Sequence, residues 1–411
     1  MKLLQINSSD LHGSRFNGFG IGKELAGRGI DSRHLVWRRY SKDHSAELAF
    51  PKLGRRFVAE RISALERKLS VQSMLHLQWF LLPLNGSFRA ADAVHYHIVH
   101  DGYFSLAALP WLAWLKPSIW TLHDPWAMTG HCVHPMECAR WQTGCGACPD
   151  LARPFALEAD RSALNFGYKR AVYRRLDIDV VLASRWMMEM ARKSPLMRNF
   201  RLHHIPFGLD LKKFAPRPPQ AARQRLGVRA GYRVICLRAF DNPYKGMDYF
   251  RQAMRMLQTD KICILTTQGE GNLDEFIGRY QVIELGWTND EALLLDSYAA
   301  TDIFVMPSSA EAFGMMAIEA MACGKPVICF AGTALPEVTF APEAGLAVPM
   351  RDAAALAAAI NRWLGNPDEL CTRGRRSREL AERHYGLELH LDRLTALYRM
   401  AVERRVTKPA A

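Results

Sequence analysis

The chain of 411 residues lacks any apolar run of the ~18 residues that a membrane-spanning helix needs. Its two most apolar stretches, 74–84 and 105–115, are too short and are interrupted by Pro83 and Pro110. No secretory signal is expected. The start, MKLLQINSSD, turns polar early and reads as a first β-strand, which makes the cytoplasm the expected compartment. Long low-complexity tracts and internal repeats are absent. With 49% hydrophobic residues the chain has material for ordered cores, and its length suits two or three domains. The glycine-rich segment after the first strand is not a GxGxxG dinucleotide fingerprint. No nucleic-acid module accompanies the net charge of +13, so nucleic acid is not an expected partner. Acidic charge is scarce in one half only. Up to Pro206 there are 28 Lys and Arg against 17 Asp and Glu; from Phe207 onward there are 26 against 24. The basic half suits phosphates, acidic glycans or an anionic membrane surface.

What is present is an alternation of short apolar runs with longer amphipathic stretches. Strands are expected at 2–7, 32–37, 93–99, 118–122, 180–183 and 202–205, then at 233–237, 262–266, 282–285, 302–306, 326–330 and 345–348. Helical patterns include 248–257, 291–298 and 315–323. Such alternation predicts an α/β fold of parallel sheets with helices on both faces, here as two doubly wound, Rossmann-like halves. Pro206, Pro216, Pro218 and Pro219 break the pattern between them. We therefore expect a first domain over 1–206, a linker over 207–230 and a second domain over 231–376. A helical segment over 377–411 is expected to pack back toward the first domain. Two such halves on a hinge would face each other across a cleft at the carboxyl ends of their strands, where ligands of open α/β sheets bind.

The most informative stretch is DIFVMPSSAEAFGMMAIEAMACGKPVICF, residues 302–330. It reads as strand, loop, helix, turn, strand. Gly314 stands at the helix entry, where a missing side chain lets an anion approach free N–H groups and the positive dipole end. Glu311 falls in the loop and Glu319 further into the helix. Carboxylates there can accept hydrogen bonds from sugar or ribose hydroxyls. Two glutamates at this spacing mean little alone, but the whole string resembles the retaining glycosyltransferases of family 4, which have the GT-B fold and two glutamates separated by seven residues. The matching residues are Glu311, Ala312-Phe313-Gly314 and Glu319-Ala320-Met321-Ala322, followed by Gly324, Pro326 and Val327. The resemblance implies that Glu311 contacts the transferred sugar. It also implies that the backbone of Phe313, Gly314 and Met315 meets sugar or diphosphate, and that Glu319 holds the ribose. Ala312 stands where the family often has glycine.

Upstream, Arg238 ends an expected strand and Lys245 lies in the loop after it. Both can neutralise a departing nucleotide diphosphate, each charge-assisted bond contributing ~1.5–3 kcal/mol. The resembling family pairs an Arg and a Lys here, the Lys followed by Gly. Lys245-Gly246 matches; Arg238 follows Leu237 in place of the usual glycine, and the loop is longer. The loops 266–271 and 285–288 lie where a base or ribose would sit, but ordinary turns fit them equally and they are given no role.

In the first half, Gly18, Gly20 and Gly22 allow backbone to approach a ligand. The family's loop at this place closes on the donor diphosphate, which makes Gly18 a candidate. His95, His97, His100 and His123 gather at two strand ends. The resemblance puts His123 near the transferred sugar but not as a general base. Retaining members need no protein nucleophile, since the leaving phosphate itself serves attack on the face it departs from. The protein then positions groups and stabilises charge, with no cofactor for catalysis.

Cys132, Cys138, Cys145 and Cys148 crowd the insertion 131–149. Four thiols so close in a cytoplasmic protein suggest a metal clip, yet only Cys145 and Cys148 have zinc-knuckle spacing. A structural zinc and four reduced or disulfide-paired cysteines stand as equal readings. A similar cysteine-bearing insertion appears in some bacterial polysaccharide glycosyltransferases. The resemblance thus implies a hexosyltransferase-type, retaining enzyme of the bacterial exopolysaccharide or colanic-acid kind. It would use a UDP- or GDP-sugar donor and a glycan or lipid-linked glycan acceptor of exopolysaccharide or lipopolysaccharide synthesis. The basic, aromatic-rich first half, with Trp79, Phe80, Trp111 and Trp114, would face the anionic inner surface of the plasma membrane. The rival is another GT-B enzyme, such as a sugar-nucleotide epimerase or a small-molecule transferase.

Overall fold

The computed structural model describes residues 1–11, 13–50, 55–240, 242–267, 269, 271–287 and 290–407. They form two compact units: unit 1, Met1–Ile205 with Leu391–Ala411, and unit 2, Pro206–His390.

Unit 1 is built on a seven-stranded parallel sheet. Its strands are β1 (Lys2–Ser9), β2 (Asp31–Arg38), β3 (Ala46–Leu48), β4 (Ala93–Tyr96), β5 (Ser118–Leu122), β6 (Asp179–Leu182) and β7 (Arg201–His204). Their order is β3-β2-β1-β4-β5-β6-β7. Unit 2 repeats the plan with six strands: β8 (Arg233–Arg238), β9 (Ile262–Thr267), β10 (Gln281–Glu284), β11 (Ile303–Met306), β12 (Val327–Phe330) and β13 (Leu346–Val348). The order there is β10-β9-β8-β11-β12-β13, again all parallel. Each expected strand is found. β3 was not expected, because three residues carry no periodicity. The central strands β4, β5, β6, β11 and β12 are buried along their whole length, as strands covered on both faces must be.

The expected linker, 207–230, contains a helix. Pro219 starts the helix Pro219–Arg225, its fixed φ suiting a first helical position. That helix is then held by charge: Arg223 Nη2 lies 2.6 Å from Asp302, and Arg225 Nε lies 2.7 Å from Asp296. The prolines thus delimit a helix. The last helix, Leu387–Thr407, starts in unit 2 and continues into unit 1. Within unit 1 its Tyr398 hydroxyl meets His95 Nδ1 at 2.8 Å, and Arg404 donates to the buried Asp179 at 2.8 Å.

The aromatic residues of unit 1 divide. Trp79 is fully buried and donates its indole N–H to the Tyr103 carbonyl at 2.6 Å, so it is core and leaves the set expected to face lipid. Phe80, Trp111 and Trp114 are exposed, with Leu77, Leu81 and Leu84 beside them in sequence or structure. Among the described residues no helix is long and apolar enough to cross a membrane.

Candidate active site

In both sheets the strand order reverses beside the first strand, between β1 and β4 in unit 1 and between β8 and β11 in unit 2. Loops leaving the carboxyl ends of such neighbours diverge and open a ligand-binding crevice. The candidate residues are on these loops.

In unit 2, Arg238 ends β8 and Lys245 follows in a short 3-10 turn, Pro243–Lys245. Asp241, between them, lies outside the described residues, as do Gln268, Glu270 and Thr288 of the two loops without a role. Asn242 caps the turn, its side chain accepting the Tyr244 N–H at 2.9 Å. Gly246 is then obligatory. Its φ is +71°, and a Cβ there would lie 1.8 Å from the Pro307 carbonyl oxygen. The loop after β8 is therefore pressed onto the loop after β11, and Ser309 N–H donates to the Tyr244 carbonyl at 2.9 Å. This close approach sets Lys245 Nζ 2.9 Å from Glu311 Oε2, two partly exposed groups sixty-six positions apart. Arg238 is half-buried, with its guanidinium carbon 5.5 Å from the centre of the Phe240 ring.

Gly314, at φ +102°, precedes the helix Met315–Ala322, whose start has no side-chain cap. A Cβ at Gly314 would strike Leu335 at 2.6 Å. Phe313 packs its ring edge-to-face against Phe207 and Tyr385, which holds its backbone at the helix entry. Met315 is half-buried. Glu319 is different: it is fully buried and accepts the Tyr298 hydroxyl at 2.7 Å. Tyr298 was not singled out from the sequence, and nothing in its helical pattern marks it.

In unit 1, Gly18 (φ +84°) lies against Gln5, and a Cβ would overlap the amide oxygen at 1.7 Å. Gln5 Nε2 donates to the Gly18 carbonyl at 3.3 Å and to Ser32 Oγ at 2.8 Å. Its oxygen is left to accept from His97 Nε2 at 3.0 Å. His97 Nδ1 must then accept, and it faces His123 Nε2 at 3.2 Å. Gly18 and His123 are thus joined through Gln5 and His97, a relay not seen in the sequence. Burial lowers the His123 pKa to about 4 and that of His97 well below its ordinary value, so both are neutral near pH 7. His100 lies 3.0 Å from Asp124, whose carboxyl is held below its usual range although burial opposes this, by the charge and hydrogen bond of His100 and the Trp126 N–H.

Of the two equal readings of the cysteines, the geometry gives the zinc clip no support. Among the described residues no three His, Cys, Asp or Glu side chains are placed to hold a metal ion. Cys145 Sγ accepts the Gly130 N–H at 3.2 Å, while Cys148 Sγ pairs with His131 Nε2 at 3.3 Å. Burial pushes the Cys145 thiol up to about 12 and raises that of Cys132, so without a metal ion both are protonated near pH 7. All four are free thiols. The segment before them is held instead by Lys169, fully buried, which donates to the carbonyls of Trp126 at 2.6 Å and Thr129 at 2.9 Å.

Residues 231–366 match the family described as Glycosyl transferases group 1. Over 329 residues the chain is 26% identical to the D-inositol 3-phosphate glycosyltransferase of Thermobispora bispora, covering 75% of this chain and 72% of the relative. The fold of sucrose-phosphate synthase from Thermosynechococcus elongatus superposes with a TM-score of 0.71 at 21% identity, over 98% of this chain and 100% of that one. Alr3699/HepE from Anabaena, solved in complex with UDP, gives 0.66 at 16% identity, over 97% and 100%. The fold is GT-B. Within the matched residues lie Arg238, Lys245, Glu311, Gly314 and Glu319; Gly18, His123 and the four clustered cysteines lie outside them.

Proposed function

We propose that this glycosyltransferase moves a hexose from a nucleotide-diphosphate sugar to a phosphate-bearing polyol or lipid-linked glycan, with retention at the anomeric carbon. One observation carries the reading: the Lys245 ammonium stands 2.9 Å from Glu311, beside an uncapped helix start at Gly314. A donor diphosphate would take the ammonium from Glu311 and meet the helix dipole. Glu311 would then be released to the sugar hydroxyls. Arg238 adds charge as the leaving group forms, and a bond that strengthens in that step raises turnover. Glu319, fixed by Tyr298, would orient the ribose after a small side-chain movement. In unit 1, Gly18 would approach the diphosphate and neutral His123 would hold a sugar hydroxyl. No metal step is invoked, because Lys245, Arg238 and the helix start supply positive charge.

The inositol phosphate named for the relatives and the basic first half both favour a phosphorylated acceptor. An exopolysaccharide or lipopolysaccharide intermediate has the same chemistry when carried on a lipid phosphate. Exposed Leu81, Leu84, Trp111 and Trp114 in a basic unit would suit an anionic membrane surface on the cytoplasmic side. The test is calorimetric titration with UDP and GDP, followed by incubation with UDP- and GDP-sugars and a phosphorylated acceptor. Binding of one nucleotide and an acceptor-dependent product of unchanged anomeric configuration is expected. Donor conversion without acceptor would favour an epimerase, and failure to bind either nucleotide would overturn the reading.

A further inference from the structure

A cavity of about 610 Å³ opens in unit 1 at the carboxyl end of β2, among Trp37, Arg38, Arg39, Tyr40 and Arg67. It is of the size that takes a small ligand. Its rim brings together three arginines against one carboxylate, Glu60. Arg38 and Arg67 are exposed, and Arg38 makes a loose, exposed ion pair with Asp101 at 3.8 Å, which an incoming anion can replace at little cost. Arg39 donates one N–H to the Asp43 carbonyl at 2.9 Å and keeps others.

The frame beneath these side chains is fixed. The buried Asp10 carboxylate, just past β1, accepts the N–H groups of Tyr40 at 3.0 Å and Ser41 at 2.9 Å. Trp37 is buried and stacks on Tyr103 with ring centres 5.9 Å apart. Ser63 Oγ donates to the Gly102 carbonyl at 2.9 Å, tying the helix Arg55–Lys68 to the loop after β4. The arginines therefore project from a preorganised wall, next to an exposed tyrosine whose ring is apolar and whose hydroxyl is polar. Planar guanidinium forks match phosphate oxygens two at a time.

We propose that this cavity binds the acceptor through a phosphate ester carried on a polyhydroxylated ring. The proposal rests on the reading of the chain as a transferase and adds where its acceptor is held. A free ester and a lipid headgroup share this chemistry. Two arms separate them. D-inositol 3-phosphate is titrated into the full chain by calorimetry. Vesicles of phosphatidylcholine with and without phosphatidylinositol are co-sedimented with it. Arg38→Gln and Arg67→Gln are compared with Arg175→Gln, an exposed arginine outside the cavity. UDP is titrated in parallel as a measure of the donor half.

Arg38→Gln and Arg67→Gln should each weaken ester binding by about tenfold or more, while UDP affinity and the Arg175→Gln variant stay as in the parent. A loss seen in the soluble arm assigns a free acceptor; a loss confined to the inositol lipid assigns a lipid-linked one. Equal losses in Arg175→Gln would reduce the effect to net charge and overturn the proposal. So would a parent chain that binds UDP and neither probe. A chain that binds the ester but no nucleotide would overturn the donor reading and leave the cavity's ligand in place.

Discussion

The two units share a plan and differ in how they treat charge at the same place. At the strand-order reversal of unit 2, an ammonium and a carboxylate remain partly exposed and neutralise each other across 2.9 Å. At that of unit 1 the polar groups are buried and uncharged, linked from Gln5 to His97 to His123. Twelve of the fourteen histidines belong to unit 1. Exposed opposite charges are worth little to stability but can exchange partners when an anion arrives. Buried neutral groups fix geometry and resist exchange. The one unit is suited to catching a leaving group, the other to holding hydroxyls.

The sharpest way to break this contrast is acid. Burial lowers the pKa values of His34, His76 and His123 to about 4, and that of His97 well below its ordinary value. Their unfolded values lie near 6.5, so below that pH the unfolded chain binds more protons and stability falls as pH falls. At about pH 5.5 each of the three histidines lowered to about 4 costs about 1.4 kcal/mol, roughly 4 kcal/mol together, and His97 adds in the same direction. Scanning calorimetry should show an unfolding transition of unit 1 moving steeply down between about pH 7 and 5.5, with that of unit 2 moving far less. Parallel shifts would mean that the histidines are not neutral in the fold.

The next largest effect belongs to unit 2. Lys245→Ala should cut turnover by about a hundredfold to a thousandfold, as loss of one donor to developing charge does. The melting temperature should barely change, because the pair it breaks is partly exposed. Near-normal turnover would remove Lys245 from the mechanism.

Asp179→Ala tests a charge that unit 1 does bury. The carboxylate is nearly inaccessible and accepts from Arg201 at 3.1 Å, His203 at 2.8 Å and Arg404 at 2.8 Å. Burial alone would raise its pKa, but these partners hold it well below the usual range. Removing it takes the acceptor from His203 and Arg404, while Arg201 keeps Asp177 at 2.7 Å, so unit 1 should lose about 3 kcal/mol in urea unfolding. A loss below about 0.5 kcal/mol would be that of an exposed pair.

Legibility in the sequence followed locality. The strand, loop and helix at 302–330 could be read because their signals are neighbours: an apolar run, Pro307, Gly314, then Gly324 and Pro326. The pairing of Lys245 with Glu311 could not be read from spacing. It depends on Gly246 meeting Pro307, and the glycine is visible while its partner is not. Gln5 looks like any polar residue in a strand until β4 is laid beside β1 with Gln5 opposite His95. The cysteine cluster stayed undecided for the opposite reason. Close spacing left a clip and free thiols as equal readings, because side-chain geometry is a tertiary property. Here Cys145 meets the Gly130 N–H and Cys148 meets His131, while Cys132 stays near enough to Cys145 and Cys148 to interact with them.

The smallest effect probes how far the neutral network of unit 1 extends. His95 is held at both nitrogens, by Thr121 Oγ1 at 2.7 Å and by the Tyr398 hydroxyl at 2.8 Å. Both partners are hydroxyls that donate or accept, so either tautomer is satisfied. Tyr398→Phe keeps the ring that packs 5.6 Å from His95 and removes only the hydroxyl. One buried nitrogen then lacks a partner, which should cost about 1–2 kcal/mol. The loss should fall on the unfolding of unit 1 and leave UDP affinity unchanged, since the charged donor residues Lys245 and Arg238 belong to unit 2 and the change leaves the Gly18 loop intact. If UDP binding weakened in step with stability, the two units would be thermodynamically coupled, and the division of labour drawn above would have to be replaced by one cooperative site.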